Sequence, residues 1–121
     1  MNKILIVEDD PTFREMVKSL LISRFPSMAI HEAPDGAQAW EKIKSVPPDL
    51  IFMDIRLPGE NGLTLTKKIK DLCPNITVVI LTNHDLQEYR EVAQEIGAEY
   101  FMSKGTTKPA EIVELIESLN Y

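Results

Sequence analysis

Glu8, Asp9, Asp54, Thr82 and Lys104 share one kind of position: each stands where a short apolar run gives way to turn residues. Asp54 closes Asp49-Leu50-Ile51-Phe52-Met53, a run too brief for a helix and read as a buried parallel strand. The next residues, Ile55-Arg56-Leu57-Pro58-Gly59-Glu60-Asn61-Gly62, are turn chemistry. The carboxylate is therefore expected at a strand's carboxyl end, facing an open crevice of the kind in which α/β sheets bind ligands. A carboxylate there can act as a nucleophile, or merely cap a helix or solvate a loop, and only its company separates the two. Acids held within a few ångströms repel one another, a conflict that a hard cation such as Mg²⁺ resolves with oxygen ligands. Lys104 on the same edge suits an anion, and phosphate is the anion that also bridges to Mg²⁺. With the Thr82 hydroxyl as a further donor, these are the parts for phosphoryl transfer onto an aspartate.

Such a set can meet only if several strands end on one edge of a sheet. Residues 3–7 read as an apolar strand running into Glu8-Asp9-Asp10, and Pro11 marks the first turn of a helix with Asp10 as its N-cap. Phe13, Met16, Val17, Leu20 and Leu21 follow at helical spacing. Residues 28–32 form a weaker strand, and Asp35-Gly36-Ala37-Gln38 opens a helix with capping-box character and an Ala39, Trp40, Ile43 stripe. Pro47-Pro48 ends that helix, and after the Asp54 strand a third helix carries Leu65, Ile69, Leu72 and Cys73 on one face. Residues 76–81 are the β-branched run of a central strand ending in Thr82-Asn83. A helix with Leu86, Tyr89, Ala93 and Ile96 stops at Gly97, and the short strand 100–102 leads to Lys104. The last helix starts near Thr107 to Pro109 and carries Ile112, Val113, Ile116 and Leu119. Five βα units predict an α/β fold, a doubly wound five-stranded parallel sheet with helices on both faces.

The chain has 121 residues, read as one domain over 1–121 with a single core. It is 44% hydrophobic and 26% charged, which is globular composition, and no apolar stretch approaches the ~18 residues of a membrane span. No signal peptide is evident, so a cytoplasmic location and no membrane partner are expected. The formal charge of −6 argues against nucleic acid binding by this domain itself. Cys73 is read as a small core residue, and His31 and His84 lack ligand spacing to each other.

The residues at this point meet a known pattern: the chain resembles the receiver domain of two-component response regulators over its whole length. The resemblance rests on Val7-Glu8-Asp9-Asp10, Asp54 with Ile55 to Gly62, Leu81-Thr82, Gly97-Ala98 and Ser103-Lys104 in order. It implies the flavodoxin-like (βα)5 fold with strand order 2-1-3-4-5, and Asp54 as phosphoacceptor from a sensor histidine kinase or phosphotransfer protein. It further implies Mg²⁺ held by Asp9, by Glu8 through water, by Asp54 and by the backbone carbonyl of Arg56. Lys104 would pair with the phosphoryl group, and Thr82 would move to bond it, drawing the switch residue Phe101 inward. The implied consequence is a phosphorylation-dependent homodimer through the fourth helix, fifth strand and fifth helix. Transcription through a DNA-binding domain beyond Tyr121 is one such output. Departures from the pattern are Glu8 for Asp, Phe101 for Tyr, Asn83 for a smaller residue, and Gly105 for Pro, the last expected to loosen its loop.

Two positions beyond Asp54 and Thr82 stand Arg56 and His84, large polar side chains expected to shield the phosphoryl group from water. The chain is read as no enzyme beyond its own phosphorylation and dephosphorylation. An Mg²⁺-dependent aspartyl-phosphate hydrolase would want an Asp-x-Asp motif after the first strand and a cap for which the chain is too short. A flavin or nucleotide binder of this architecture would want glycines and hydroxyls after that strand, where Glu8-Asp9-Asp10 would repel phosphate. A receiver signalling by protein contact without phosphorylation is the remaining alternative.

Overall fold

Three strands of this chain are buried along nearly their whole length and two are not, and that difference orders the sheet. The computed structural model describes residues 2–119. Its elements are β1 (Lys3–Val7), α1 (Pro11–Arg24), β2 (Ala29–Ala33), α2 (Gly36–Ser45), β3 (Leu50–Met53), α3 (Gly62–Leu72), β4 (Thr77–Thr82), α4 (Gln87–Glu95), β5 (Tyr100–Ser103) and α5 (Pro109–Leu119). The strands are all parallel in the order β2-β1-β3-β4-β5, the expected one. The continuous apolar runs of β1, β3 and β4 fill the middle, and the mixed β2 and β5 take the edges. Tyr121, and with it the question of a following domain, lies outside the described residues.

Alternate residues of each strand feed two separate cores. Leu5, Val7, Ile51, Met53, Val78 and Ile80 pack with α2, α3 and α4. Ile4, Ile6, Phe52, Val79 and Leu81 pack on the other face with α1 and α5, through Val17, Leu21, Ile112 and Ile116. Asp10 caps α1 by accepting from Thr12 N at 3.0 Å and Phe13 N at 3.4 Å, as expected for a Pro-started helix. Asp35 caps α2 through Gln38 N at 2.8 Å. The Gln38 side chain, however, turns to the Asp35 carboxylate instead of completing a capping box with its backbone.

The helical stripes narrow where helices outrun the sheet. Leu72 was expected on the buried face of α3 but is 68% exposed, because the last turn of α3 extends past the core. Cys73 follows as the C-cap, half-buried against the core. Met16 and Leu86 are likewise exposed; Leu86 is the N-cap residue of α4, and Ala93 is the fully covered residue of that helix.

The loop from β3 to α3 is closed at its base. Gly62 N donates to Ile55 O at 2.7 Å, the Asn61 side chain caps α3 by accepting from Leu63 N at 2.7 Å, and Arg56 and Asn61 face each other in an antiparallel bridge. A Cβ on Gly62 would lie 1.8 Å from the Asp54 carbonyl oxygen, so only glycine lets α3 start this close to the Asp54 backbone. Gly62→Ala should therefore lower stability by about 2–3 kcal/mol in urea unfolding, the scale of overpacking against backbone. Gly105→Ala, whose added atom meets Ser103 Oγ at an ordinary 3.9 Å, should leave it nearly unchanged. Equal unfolding midpoints for wild type and Gly62→Ala would show that the loop can yield.

Candidate functional site

Three backbone hydrogen bonds extend the sheet one residue beyond its strands. Glu8 N donates to Ala33 O at 3.0 Å, Asp54 N to Val7 O at 3.1 Å, and Lys104 N to Thr82 O at 2.9 Å. Each functional residue is thus fixed as the last rung of a ladder before its chain turns away. The parallel register sets Val7 beside Met53, Met53 beside Ile80 and Thr82 beside Ser103, which brings the four strand ends to one edge.

There the side chains meet in a small buried cluster. The Lys104 ammonium lies 2.6 Å from Glu8 Oε1 and 3.2 Å from Asp54 Oδ2, with the Lys104 and Asp54 side chains each 8% exposed. Glu8 Oε2 accepts from Asp10 N at 3.1 Å, and Asp54 Oδ1 from Ile55 N at 2.8 Å, so both carboxylate planes are fixed by backbone donors. Asp9 stands at the exposed rim, and Glu8, Asp9 and Asp54 each offer a carboxylate oxygen within 4.8 Å of the others. Asp54 is more enclosed than an open crevice suggests: it is 6% exposed, with the Lys104 ammonium against its carboxylate. The Glu8 carboxylate is paired directly with Lys104.

The electrostatics follow from this crowding. Burial, with the Asp54 charge adding to it, pushes the Glu8 carboxyl up from 4.5 to about 7 against the opposing pull of Lys104. Lys104 is held above its ordinary value: burial alone would lower it, but the two carboxylates together outweigh that. Three acids and one ammonium leave the edge with a formal excess of negative charge and a hard-oxygen donor set, which is the chemistry a divalent cation such as Mg²⁺ requires.

A sequence model of the response regulator receiver domain matches residues 4–117. The chain belongs to that family. This receiver domain is 34% identical over 120 residues to the chemotaxis protein CheY of Bacillus subtilis, covering 98% of this chain and 95% of that protein. It is 38% identical over 104 residues to the transcriptional regulatory protein LnrK of the same organism, covering 86% of this chain but only 47% of the relative's length. Among solved structures, a DNA-binding response regulator of the LuxR family from Staphylococcus aureus superposes with a TM-score of 0.90 at 25% identity, each chain covered over 100%. Receiver domains are in general signalling modules rather than enzymes, and they interact with histidine kinases or phosphotransfer proteins. No described helix of this one is long and apolar enough to cross a membrane.

The other sequence-selected residues surround the cluster. Thr82 is fully buried, and its hydroxyl accepts from His84 N at 3.1 Å. That bond ties the loop after β4 to the threonine. The His84 side chain is half-buried, and Arg56 is exposed. Phe101 is half-buried against the α2–α4 core beneath the Arg90 guanidinium, 4.6 Å from the ring centroid, while Arg90 also pairs with Asp85. The loop after Lys104 is tighter than Gly105 suggested, because Ser103 O accepts from Thr107 N at 2.9 Å and Thr106 N at 3.4 Å. Gly62 is a site residue that sequence reasoning quoted without a role; its only signal was a glycine at the end of the loop after Asp54.

Between pH of about 4.5 and about 7, native Glu8 binds more protons than it does in the unfolded chain, so its contribution to stability falls as pH rises through that window. His31, lowered chiefly by burial, acts in the opposite sense, so the informative quantity is the difference from Glu8→Gln, in which His31 cancels. In metal-free buffer the unfolding free energy of wild type relative to Glu8→Gln should decline from pH 5 to pH 8. A difference independent of pH would show that Glu8 titrates normally.

Proposed function

We propose that this domain takes a phosphoryl group onto Asp54 from a phosphohistidine donor and uses it to switch an interaction surface. The observation that carries the proposal is the Asp54 carboxylate, fixed by Ile55 N and facing the Lys104 ammonium inside an otherwise acidic cluster. One Asp54 carboxylate oxygen forms the new O–P bond as the P–N bond of the donor breaks, and the departing imidazole nitrogen takes up a proton. Lys104 pairs with a phosphoryl oxygen, for which it must leave Glu8 or share its ammonium between them. The Thr82 hydroxyl oxygen accepts from His84 N, which leaves its O–H to donate to a phosphoryl oxygen. Glu8, Asp9, Asp54 and the Arg56 carbonyl would hold Mg²⁺, which when bound neutralises charge on the phosphoryl oxygens. Glu8 joins that set when it yields Lys104.

The switch would run through Thr82 and Phe101 to the face formed by α4, β5 and α5. Exposed Leu86, Val92 and Tyr100 lie on α4 and β5 or at their ends, and they favour a homodimer there in the phosphorylated state. The whole of 1–121 is taken as one such module, cytoplasmic, with any transcriptional output belonging to a domain beyond it.

Incubation with acetyl phosphate and Mg²⁺ should add one phosphoryl group to the wild type and none to Asp54→Ala, read by intact mass. Asp9→Ala should weaken Mg²⁺ binding by about tenfold, ~1.4 kcal/mol. Equal phosphorylation of Asp54→Ala would sink the assignment.

Arg56 and His84, two positions beyond Asp54 and Thr82, are proposed to limit access of the water that must reach the aspartyl phosphate in line with the leaving carboxylate oxygen. Replacing both with Ala should speed dephosphorylation about threefold to tenfold, the order commonly set by access and positioning of a water. Mg²⁺ affinity should change little, because Arg56 would ligate through its backbone. An unaltered phosphate lifetime in the double variant would show that these side chains do not gate the water.

A further inference from the structure

The ammonium of Lys104 has three N–H donors, and Glu8 and Asp54 take two of them. On a further side stands the ring of Phe13, its centroid 4.4 Å from Nζ. We infer that Phe13 is a positioning residue for Lys104: its ring face holds the ammonium at the strand edge without adding a third carboxylate there. The inference rests on the proposed phosphorylation of Asp54 and extends it to a residue outside the polar set.

An aromatic face suits this task for a physical reason. Another carboxylate against the ammonium would tie the lysine more strongly to the resting cluster and add negative charge to an edge that already holds Glu8, Asp9 and Asp54. A ring quadrupole attracts the cation most where water is excluded, and it does so without occupying one of the ammonium's N–H donors on a fixed acceptor. Lys104 can then exchange a carboxylate oxygen of the resting state for a phosphoryl oxygen while keeping one contact throughout. Phe13 itself is placed by the start of α1: its backbone N–H donates to Asp10 Oδ1, so the cap that begins the helix also sets the ring beside the lysine.

The ring also borders a cavity of about 140 Å³ between α1 and α5, shared with Met16, Leu20, Leu81, Ile112 and Lys104. A smaller side chain at Phe13 therefore enlarges an existing void rather than opening one in close-packed core, and the fold should survive it.

The test compares Phe13→Leu, which keeps apolar bulk without a ring face, with Phe13→Tyr, which keeps the face. With acetyl phosphate and saturating Mg²⁺, Phe13→Leu should be phosphorylated about fivefold more slowly, the order one desolvated cation–π contact supports, and Phe13→Tyr within about twofold of wild type on the same basis. Mg²⁺ affinity should be the same in all three. In NMR spectra, the Lys104 Hε protons should carry an upfield ring-current shift in wild type and Phe13→Tyr, which places the lysine over the ring in solution, while recovery of the rate by Phe13→Tyr but not by Phe13→Leu separates the ring face from apolar bulk. Wild-type rates in Phe13→Leu, or a Phe13→Tyr as slow as Phe13→Leu, would overturn the inference. Absence of any transfer to Asp54 in the wild type is the distinct result that removes the underlying function and the inference with it.

Discussion

A single ammonium group shared between two buried carboxylates is the contact on which this site depends. Glu8 and Asp54 are carried on adjacent central strands, and the sheet spacing forces them together at an edge that burial has largely dried. Without Lys104 the pair would be two like charges in a low dielectric, and one would be driven to protonate. With it, the cluster stays compact but unresolved: Glu8 remains near the balance between its charged and neutral forms. The domain thus holds a site that is tolerable rather than satisfied, open to anything that supplies positive charge or redistributes negative charge.

The fold makes that arrangement rigid where it must be and adjustable elsewhere. Backbone rungs fix the Cα positions of Glu8, Asp54 and Lys104, and the Gly62 approach locks the backbone behind Asp54. What can change is side-chain partnership: Lys104 between two acids, and Thr82, whose oxygen accepts from His84 N while its own O–H is free to turn to a new acceptor. Residue-level chemistry can therefore alter while the sheet stays still, and the side chains with room to respond are those of the loops and of helix positions such as Arg90 over Phe101.

Much of this was legible in the sequence because parallel strands buried on both faces write themselves as apolar runs, and their ends are marked by the first polar residues. Asp54, Thr82 and Lys104 could be placed on one edge for that reason alone, and the strand order followed the family resemblance. Contacts made across the fold were not legible. Glu8 reads in the sequence as a member of the Mg²⁺ site, one methylene longer than the commoner Asp, and only the folded geometry reveals Lys104 as its partner. Phe13 reads as one more apolar position of α1, since helical spacing cannot say that its ring meets a lysine nearly a hundred residues on. Leu72 fits the stripe of α3 by periodicity and is exposed because periodicity carries no information about where the sheet stops.

The sheet is also a partition. Side chains alternate across it, so Phe101 packs with the α2–α4 core while Met102 packs with α1 and α5. Thr82 falls on the side of Ile80, with the first core, whereas Lys104 reaches the ring of Phe13 on α1, with the second. The edge thus borders two compartments that share no core. Lineages of such a chain can remodel the helices on one side, changing what listens there, while the opposite wall and the chemistry between them keep their original form.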